Sequence, residues 1–587
     1  MATNQESETA DDPRILVGPL LRYVDATRAT IWLETSRSCR VTLTTTERRP
    51  ATAGAPTSHT ATTWSVHGHH YCLIVVDGLT PASVNGYTVA LDQAQVWPLA
   101  GDDFPEPVIR TVHPDRPHTL AFGSCRKTGP FDEEHLASLG PDALVAMARR
   151  MAASDLDEWP DTLLMLGDQI YADDPPSGLA RRVAAANDDI GLLARDEVQD
   201  FEQYTLLYQQ SWMVPEVRWL LSTVPSCMLL DDHDLRDDWN TSHDWRERVT
   251  SQDWWRDRVV GAYGSYWVYQ HLGNLNPDEI ATDEVMAAMR SLEREEERSA
   301  ALDDFAWRTD TDPSTSRFSF VRDLGGGERG TRLVAVDSRG ARVLDPDNRR
   351  MVDEPEWDWI RSKVLEPERP VEHLLVASTL PVLMLPGVHH LEGWNESVCQ
   401  NGTTGVGRRL AEVVRQAVDL EHWAAFRNSM HEVVRLLEEV VAADAPPSSV
   451  LLLAGDVHCS YTAPAELVQA DHPNTAIHQL VMSPFRHGMP GAVKAVNGLL
   501  DRPRWSSLVH RMARRAGVAD VAITWQIEHG PWYDNGVMTI RLDGAAASVE
   551  VAHAAMEEER QVLVPTVELP LGHAAPAEDA ERAVSTE

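Results

Sequence analysis

Six apolar segments of strand length each end abruptly in polar, mostly acidic or metal-binding residues. They begin at His118, Thr162, Cys227, Arg332, Leu374 and Val450. Apolar runs of this length, bounded by turn residues, are typical of parallel strands that are buried on both faces. Ligands of such sheets bind outside the carboxyl ends of the strands, where these polar residues fall. The pattern therefore predicts one shared site, and its Asp, His, Cys and Tyr residues indicate a metal.

The first hundred residues follow a different pattern. Short alternating segments between Ile15 and Val112 predict a small antiparallel sandwich, and Val76 to Tyr87 resembles part of a fibronectin type III domain. Polar composition predicts disorder at both ends of the chain. The predicted divisions are 1–13 disordered, 14–113 sandwich, 118–555 metal-site domain with helical insertions at about 176–225 and 241–320, and 556–587 a disordered acidic tail.

Charge and composition limit the possible partners. The chain has 52 basic and 90 acidic residues, a formal net charge of −38, which argues against a general nucleic-acid or anionic-membrane binder. An anionic substrate remains possible because bound cations can be the largest charges in a site. No apolar run reaches the roughly 18 residues needed to span a bilayer, and no signal peptide or twin-arginine motif is visible. We therefore expect a cytoplasmic protein.

The segment from Gly167 to Asp173 is the most specific motif. An Asp directly after a strand, here Asp168, can bridge two cations while a Tyr three residues later reaches one of them. A tyrosinate suits a hard, charge-rich ion such as ferric iron, whose charge lowers the pKa of the phenol. The alternative is a tight turn in which the Asp caps the following helix. For this motif alone the two interpretations are balanced.

Two further strand ends carry ionisable clusters. The residues Asp231–Asp234 would repel one another unless a cation or substrate compensates, so an exposed acidic loop is the weaker interpretation. His233, beside Asp234, is a candidate general acid for a leaving alkoxide. Asp456 and His458 lie two residues apart and share a side if the strand continues. The alternative for this pair is a strand end without ligands.

Cys125 is by default a buried structural thiol. Its position at a strand end beside Arg126 instead favours a thiolate that binds metal. Arg126 could hold an anion through two hydrogen bonds, and the alternative for it is a weak surface salt bridge. Asp337 and Arg339 are candidates for substrate binding or for supporting the ligands. A histidine tract at 67–70 looks chelating, but we expect it on the surface of the sandwich.

Taken in order, these motifs resemble the calcineurin-like metallophosphoesterase superfamily and, within it, the PhoD-like (alkaline phosphatase D) family. The resemblance covers about Ile15 to Ala552. It implies an α/β fold, a four-layer αββα sandwich with the metal ions at the strand ends, preceded by the fibronectin type III-like domain. The matching segments are Gly123–Cys125, Gly167–Tyr171, Asp231–Asp234, Asp237–Asn240, Asp337–Arg339 and Gly455–His458.

The resemblance also implies two sets of ligands. Ferric iron would be held by Cys125, Asp168, Tyr171 and His458, and the second ion by Asp168, Asp232 and Asp456. The commoner superfamily pattern has Asn before the motif His and a His in place of Asp456, whereas this chain has Asp at both positions. An all-oxygen site favours calcium, magnesium or manganese over zinc, and the resemblance points to Ca²⁺.

The leading hypothesis is metal-dependent hydrolysis of phosphate monoesters or diesters, with a metal-activated hydroxide attacking phosphorus. Arg126 would offset charge on the phosphoryl group, and His233, with Asp234, would protonate the leaving group. The substrate would be a small-molecule or polymer phosphate ester. Two alternatives are an iron–thiolate redox enzyme and a non-catalytic interaction protein whose metal domain is a relic.

Overall fold

Four β-sheets organise the part of the chain that the structure describes. The computed structural model describes residues 12–49, 55–101, 103–187, 194–325, 327–401, 405–417, 420–470, 474–489 and 502–572, together with positions 491, 494 and 498. The predicted disorder at 1–11 and 573–587 lies outside these residues and stays a prediction. Among the described residues, no helix has the length and apolar character needed to cross a membrane.

Two antiparallel sheets form the N-terminal sandwich. Its strands are β1 (Ile15–Val24), β2 (Ala29–Thr35), β3 (Arg40–Arg49), β4 (Thr57–Thr62), β5 (Trp64–Val66), β6 (His69–Val76), β7 (Val84–Leu91), β8 (Ala94–Trp97) and β9 (Val108–Arg110). One sheet has the order β1-β2-β6-β5; the other has β4-β3-β7-β8, with β9 beside β7. Buried and more exposed residues alternate along β3, and the buried Val41 and Leu43 pack against Ile31 and Ile74 of the facing sheet.

The first of the two larger sheets combines parallel and antiparallel strands. Its members are β10 (His118–Gly123), β11 (Thr162–Leu166), β12 (Ser226–Leu229), β21 (Gly536–Asp543), β22 (Ala546–Glu557) and β23 (Arg560–Pro570). The spatial order is β12-β11-β10-β21-β22-β23. The strands β10, β11 and β12 are parallel, so their carboxyl ends lie at one edge.

The second large sheet also has parallel strands, and their carboxyl ends lie on the same side of the domain as that edge. Its strands are β13 (Phe320–Leu324), β14 (Gly330–Val336), β15 (Val371–Ser378), β16 (Ser449–Ala454), β17 (Ser460–Leu467), β18 (Ala476–Val481), β19 (Ile523–Trp525) and β20 (His529–Trp532). The order is β13-β14-β15-β16-β18-β17-β19, with β20 beside β17. β14, β15 and β16 are parallel. All six apolar segments that the sequence singles out are therefore strands, and each lies in one of these two sheets.

Helices cover the outer faces and form the insertions. They are α1 (Glu133–Leu139), α2 (Ala143–Ala152), α3 (Ser177–Ala186), α4 (Phe201–Trp212), α5 (Pro215–Thr223), α6 (His243–Thr250), α7 (Trp255–Tyr266), α8 (Leu272–Asn274), α9 (Pro277–Thr282), α10 (Glu284–Ser291), α11 (Glu295–Thr311), α12 (Glu354–Leu365), α13 (Pro386–Asn401), α14 (Gly405–Ala417), α15 (Arg427–Val441) and α16 (Pro503–Arg515). A π-helical turn, Trp267–His271, joins α7 to α8.

The two large sheets pack face to face. Phe122 and Leu164 of the first sheet share one core with Leu375 and Leu451 of the second. The helices α2 and α5 join the core on the outer face of the first sheet, and α12 and α15 join the core outside the second. The order of layers is helix, sheet, sheet, helix. This architecture confirms the predicted four-layer αββα fold behind a β-sandwich domain.

The structure corrects the predicted start of the acidic tail at 556. Residues Arg560–Pro570 form β23, the edge strand of the first sheet, which pairs with β22 in an antiparallel hairpin. The charged run from Glu557 to Arg560 is the turn of that hairpin, and Glu558 adopts a positive φ of 54° there. Buried Gln561 and Leu563 alternate with more exposed neighbours after the turn.

Buried polar contacts join the sandwich to the metal-site domain. Arg22 of β1 is fully buried, and its guanidinium donates to the carbonyls of Ser226, Tyr269 and Gln270 at 3.1, 2.7 and 2.8 Å. Tyr87 also crosses the junction, donating to the Ser222 carbonyl at 2.6 Å.

The histidine tract at 67–70 lies at this junction and not on a free surface of the sandwich. His69 bridges Glu34 of β2 and Glu202 of α4, at 2.8 and 2.7 Å. His67 pairs with Asp303 of α11 at 2.8 Å. Insertion helices that are distant in the sequence therefore cover part of the tract, and the His67 side chain remains 27% exposed.

Candidate metal centre

Four candidate ligands lie on tight loops directly after β10, β11 and β16. Cys125, Asp168, Asp456 and His458 have φ values of 56°, 53°, 63° and 49°, a left-handed conformation that costs L-residues roughly 1 kcal/mol or more each. Hydrogen bonds between the loops maintain this conformation, including Cys125 N–H to the Gly167 carbonyl at 3.2 Å. Strained residues that cluster at strand ends are typical of functional sites.

Close packing of small residues lets these loops approach. A side chain at Gly455 would meet the Ser124 side chain at 2.3 Å, and one at Gly167 would meet Asp231 at 2.4 Å. The Ser124 hydroxyl in turn accepts the Asp456 N–H at 2.9 Å. Gly455 therefore lets the loops of the two sheets approach each other, and Gly167 lets the loops after β11 and β12 approach within the first sheet.

The first ligand group consists of Cys125, Asp168 and His458. One ligand atom from each lies within 4.8 Å of the others. The Tyr171 hydroxyl is buried without a hydrogen-bond partner. The Cys125 thiol contacts the hydroxyls of Ser124 and Ser483 at 3.1 and 3.3 Å. Burial, and next the charge of Asp168, raises the pKa of the Cys125 thiol.

The second group is made of carboxylates alone. Oxygen atoms of Asp168, Asp231, Asp232 and Asp456 lie within 4.8 Å of one another. Asp168 belongs to both groups, as the sequence interpretation of a bridging Asp requires. Burial, followed by the charge of Asp231, raises the pKa of Asp456. Asp231 was not among the predicted ligands, although it stands beside Asp232 in the same acidic motif.

Arg339 is the cation inside this carboxylate cluster. It is fully buried, and its Nε and Nη1 pair with Asp231 and with Glu421. Its Nη2 lies 3.4 Å from Asp232 Oδ1 and 3.6 Å from Asp456 Oδ2, and makes no hydrogen bond within the described residues. The guanidinium therefore offsets part of the negative charge of the cluster.

Asp337 supports the loop that carries Arg339. Its Oδ1 accepts the backbone N–H groups of Arg339 and Gly340 at 2.9 and 2.8 Å. Burial raises the pKa of the Asp337 carboxyl. From the sequence, Asp337 was a candidate either for binding substrate or for supporting the metal ligands. Its contacts in the structure are those of a supporting residue.

His233 is oriented by an aspartate other than its sequence neighbour. Its Nδ1 lies 2.9 and 3.0 Å from the two carboxylate oxygens of Asp173. Burial alone would lower the pKa of His233, but Asp173 and Asp168 outweigh it and raise that pKa well above its usual value. Burial would raise the pKa of Asp173, yet the charge of His233 lowers it to about 2. Asp173 is the last residue of the motif Gly167–Asp173, and its place in that motif was the sequence signal that could have identified it.

The structure does not place Asp234 beside His233 in a catalytic role. The Asp234 carboxylate accepts the backbone N–H of Asp231 at 3.0 Å and the Gln270 amide at 3.2 Å. These bonds fix the helical turn Asp232–Asp234. Asp234 is therefore a capping residue that holds Asp231 and Asp232 in place.

Arg126 is also corrected, because its guanidinium is bound to Asp142 and Ser211. Nε and Nη2 donate to Asp142 at 2.9 and 2.7 Å, and Nη1 donates to the carbonyl and hydroxyl of Ser211. Only 1% of Arg126 is exposed. Arg126 is therefore bound to the start of α2 and the end of α4, and it has no pair of free donors with which to hold a phosphoryl group.

Two residues near the ligands carried no local sequence signal. The His487 ring stacks on His458 with centroids 4.0 Å apart, and lies 5.4 Å from the Tyr171 ring. Glu421 holds Arg339 and also accepts from Arg342 at 2.8 Å. Both residues reach the site through tertiary folding of distant segments.

The residues present fit a pair of cations. Both Asp168 oxygens, the Tyr171 hydroxyl and Asp231 Oδ2 are buried without hydrogen-bond partners in the described part of the chain. Buried unpaired carboxylates are costly unless a cation compensates. One group offers sulfur, phenol, imidazole and carboxylate, and the other offers oxygen alone, so the two positions would suit ions of different character.

Comparison with protein-family models shows which family the chain belongs to. The model described as PhoD-like phosphatase matches residues 134–549, which is more than half of the sequence. The chain belongs to the PhoD-like phosphatase family. A model described as "Domain of unknown function (DUF7800)" matches residues 12–109. A comparison with curated proteins finds no match.

One solved structure supports the fold of this PhoD-like phosphatase. A structure titled "Structure of PhoD" is 12% identical, with a TM-score of 0.57, covering 95% of this chain and 90% of that one. A purple acid phosphatase from yellow lupin (Lupinus luteus) seeds is 11% identical, with a TM-score of 0.47, covering 94% of this chain and 74% of that one. Family membership implies a metal-dependent phosphatase.

Proposed function

We propose that this PhoD-like phosphatase hydrolyses phosphate monoesters, diesters or both at a two-cation centre. The observation that carries the proposal is the position of Asp168, which belongs to both the sulfur-containing and the all-carboxylate ligand groups. A carboxylate shared by two groups is the arrangement that a bridged pair of ions requires.

The donor chemistry supports two different ions. Ferric iron would be held by Cys125, Asp168, Tyr171 and His458, because phenolate and thiolate suit a charge-rich ion. A second, hard cation would be held by Asp168, Asp232 and Asp456, with Asp231 close by. Calcium is proposed there, and magnesium or manganese would satisfy the same oxygen donors. When bound, such a pair supplies Lewis acidity that neutralises phosphoryl charge and lowers the pKa of water.

His233 is proposed as the general acid. Because Nδ1 is bound to Asp173, the proton available to a leaving group would be carried on Nε2. The His233 side chain is 18% exposed, in contrast to the fully buried Arg339. His233 can therefore reach a substrate from the open side of the centre, while Asp173 keeps its ring in one orientation and favours its protonated form.

Arg339 is proposed to offset negative charge at the centre, a role that the sequence analysis assigned to Arg126. It lies among Asp231, Asp232 and Asp456 and keeps one donor, Nη2, directed at the cluster. Its guanidinium would hold the carboxylates in fixed positions and limit their mutual repulsion. Arg126 is assigned instead to anchoring the loop after β10 through Asp142.

The proposal is tested with the variant Asp168→Asn and the matched control Asp543→Asn, whose side chain is 59% exposed on the first sheet. Hydrolysis of a paired set of aryl monoesters and diesters should be abolished in Asp168→Asn and unchanged in the control, with both variants folded by circular dichroism. The ratio of the two activities in the unaltered protein decides the ester preference. Full activity of Asp168→Asn would refute the assignment.

A further inference from the structure

Two amphipathic helices, α14 and α16, expose apolar side chains far from the metal ligands in the sequence. Six of the eleven large apolar side chains that are exposed among the described residues lie on these two helices. They are Val406, Leu410 and Val413 on α14, and Trp505, Leu508 and Met512 on α16. This concentration exceeds the scattered apolar exposure that is normal for protein surfaces.

The apolar stripe of α14 lies opposite the side that packs on the protein. Val406, Leu410 and Val413 recur at i, i+4 and i+7 and are 79%, 64% and 63% exposed. The opposite side carries the buried Ala411, whose carbonyl accepts from Asn395 of α13 at 2.8 Å. The exposed stripe therefore contributes nothing to the attachment of α14 to the domain.

The helix α16 has the same character. Trp505, Leu508 and Met512 recur at i, i+3 and i+7 and are 46%, 42% and 36% exposed. Its inner side buries Val509 and Ala513. The end of the helix is fixed by a hydrogen bond from Ser397 of α13 to the Ala516 carbonyl at 2.7 Å. Both helices are thus attached to α13 and leave apolar stripes exposed.

The charge of this region is opposite to that of the whole chain. Residues 502–515 contain five arginines and no Asp or Glu, in a protein with a net charge of −38. Arg504, Arg511 and Arg515 are exposed. At helical spacing they fall beside Trp505, Leu508 and Met512. On α14, exposed Arg409 falls beside the stripe at helical spacing, whereas exposed Arg408 falls on the opposite side.

We propose that the exposed face of α16, with Trp505, Leu508 and Met512 and the arginines beside them, docks on the surface of an anionic phospholipid membrane. Helices with Trp and Leu on one face and arginines along its border lie in the plane of the lipid headgroups, where apolar side chains insert and arginines bind phosphate. The net charge of the chain opposes this only weakly, because charges beyond a Debye length of about 8 Å are screened. The local basic face decides the contact.

A second copy of the chain fits this face less well. A symmetric dimer places the same patch of each subunit in contact, which would set arginines against arginines. Nucleic acid would engage the arginines but leave the apolar stripes in water. An anionic bilayer satisfies both the apolar and the basic components.

The test is flotation of the full-length protein with phosphatidylcholine vesicles and with vesicles that also contain phosphatidylglycerol, at low and high salt. Binding is expected to the anionic vesicles and to weaken with salt. The combined variant Trp505→Ser, Leu508→Ser, Met512→Ser should bind at least about tenfold more weakly. The variant Arg504→Gln, Arg511→Gln should lose about fivefold per arginine.

Matched controls remove equally exposed groups elsewhere. Leu99→Ser, Met556→Ser and Val564→Thr alter side chains that are 47%, 40% and 42% exposed, and Arg294→Gln with Arg541→Gln alters distant exposed arginines. Both controls should bind as the unaltered protein does. Absence of binding to anionic vesicles, or equal binding by the α16 variants and the controls, would overturn the proposal. So would a concentration-dependent dimer that the α16 apolar variant abolishes without any vesicle binding.

Discussion

Asp173 and His233 form a partly buried ion pair in which the imidazole Nδ1 lies 2.9 Å from the carboxylate. The Tyr171 ring lies against the same imidazole, with centroids 4.4 Å apart. The pair therefore joins the loop after β11 to the loop after β12. Its geometry leaves only Nε2 of His233 for chemistry.

Asp173→Asn should impair substrates with poor leaving groups most. Loss of the carboxylate removes the charge that raises the pKa of His233, so the protonated acid is less available. General acid catalysis contributes roughly 10²–10⁴, and we expect kcat/KM for alkyl esters to fall by about tenfold or more while nitrophenyl esters are less affected. The alkaline limb of the pH profile should move to lower pH, because a general acid with a lower pKa loses its proton earlier.

The control for this pair is Asp174→Asn, which alters the neighbouring carboxylate, 64% exposed and paired with Lys127. It should leave the ratio of alkyl to nitrophenyl activity unchanged. Equal losses on both substrates in Asp173→Asn would contradict the general-acid role and indicate a structural one.

The metal content of variants should distinguish the ligands that bind one ion from Asp168, which belongs to both ligand groups. Cys125→Ser is expected to lose iron while retaining most of the second cation, and Asp232→Asn is expected to show the reverse. Asp168→Asn should lose both, because Asp168 lies in both groups. Elemental analysis of the purified variants measures each ion directly. A protein that binds one kind of metal alone, or loses both ions in Cys125→Ser, would contradict two distinct positions.

The strands and most of the site were predictable for a physical reason. A strand buried on both faces must be apolar throughout, so its end is visible where polar residues begin, as at Leu166 to Asp168 and Ala454 to Asp456. Parallel strands then bring those ends to one edge. The grouping of Cys125, Asp168, Asp232, Asp456 and His458 follows from that rule, since each lies within a few residues of a strand end.

The roles of the charged neighbours were not predictable from position in the sequence. Arg126 follows Cys125, but the left-handed backbone of Cys125 turns the chain, and the Arg126 side chain reaches Asp142 of α2. Asp234 follows His233, but a helical turn directs it to the Asp231 N–H. Glu421 acts on Arg339 from a segment without any motif. Such contacts depend on which helix packs outside the strand.

The N-terminal sandwich should be thermodynamically coupled to the catalytic domain through Arg22. Arg22→Met would leave the carbonyls of Ser226, Tyr269 and Gln270 buried without their donor. We expect a loss of roughly 3 kcal/mol in the free energy of unfolding. Denaturant unfolding measures it, with Arg37→Met, 43% exposed on the sandwich, as the control. A loss no larger than that of the control would show that the junction contributes little.

The same junction should give stability a dependence on pH. Burial lowers the pKa of His69, but hydrogen bonds to Glu34 and Glu202 outweigh burial and raise it. A group whose pKa is higher in the folded protein binds its proton more tightly there, so the stabilisation is complete below the unfolded pKa of about 6.5. It is lost as the pH rises through the folded pKa.

His69→Gln should therefore lower the free energy of unfolding more at pH 6 than at pH 9. Gln keeps a hydrogen-bonding side chain but cannot take a proton, so the difference between the two pH values isolates the charged contact with Glu34 and Glu202. Denaturation curves at several pH values measure it. His113→Gln, in the exposed connector after the sandwich, is the matched control and should show no such trend. A deficit in His69→Gln that stays constant from pH 6 to pH 9 would mean that His69 acts there as a neutral hydrogen-bonding group.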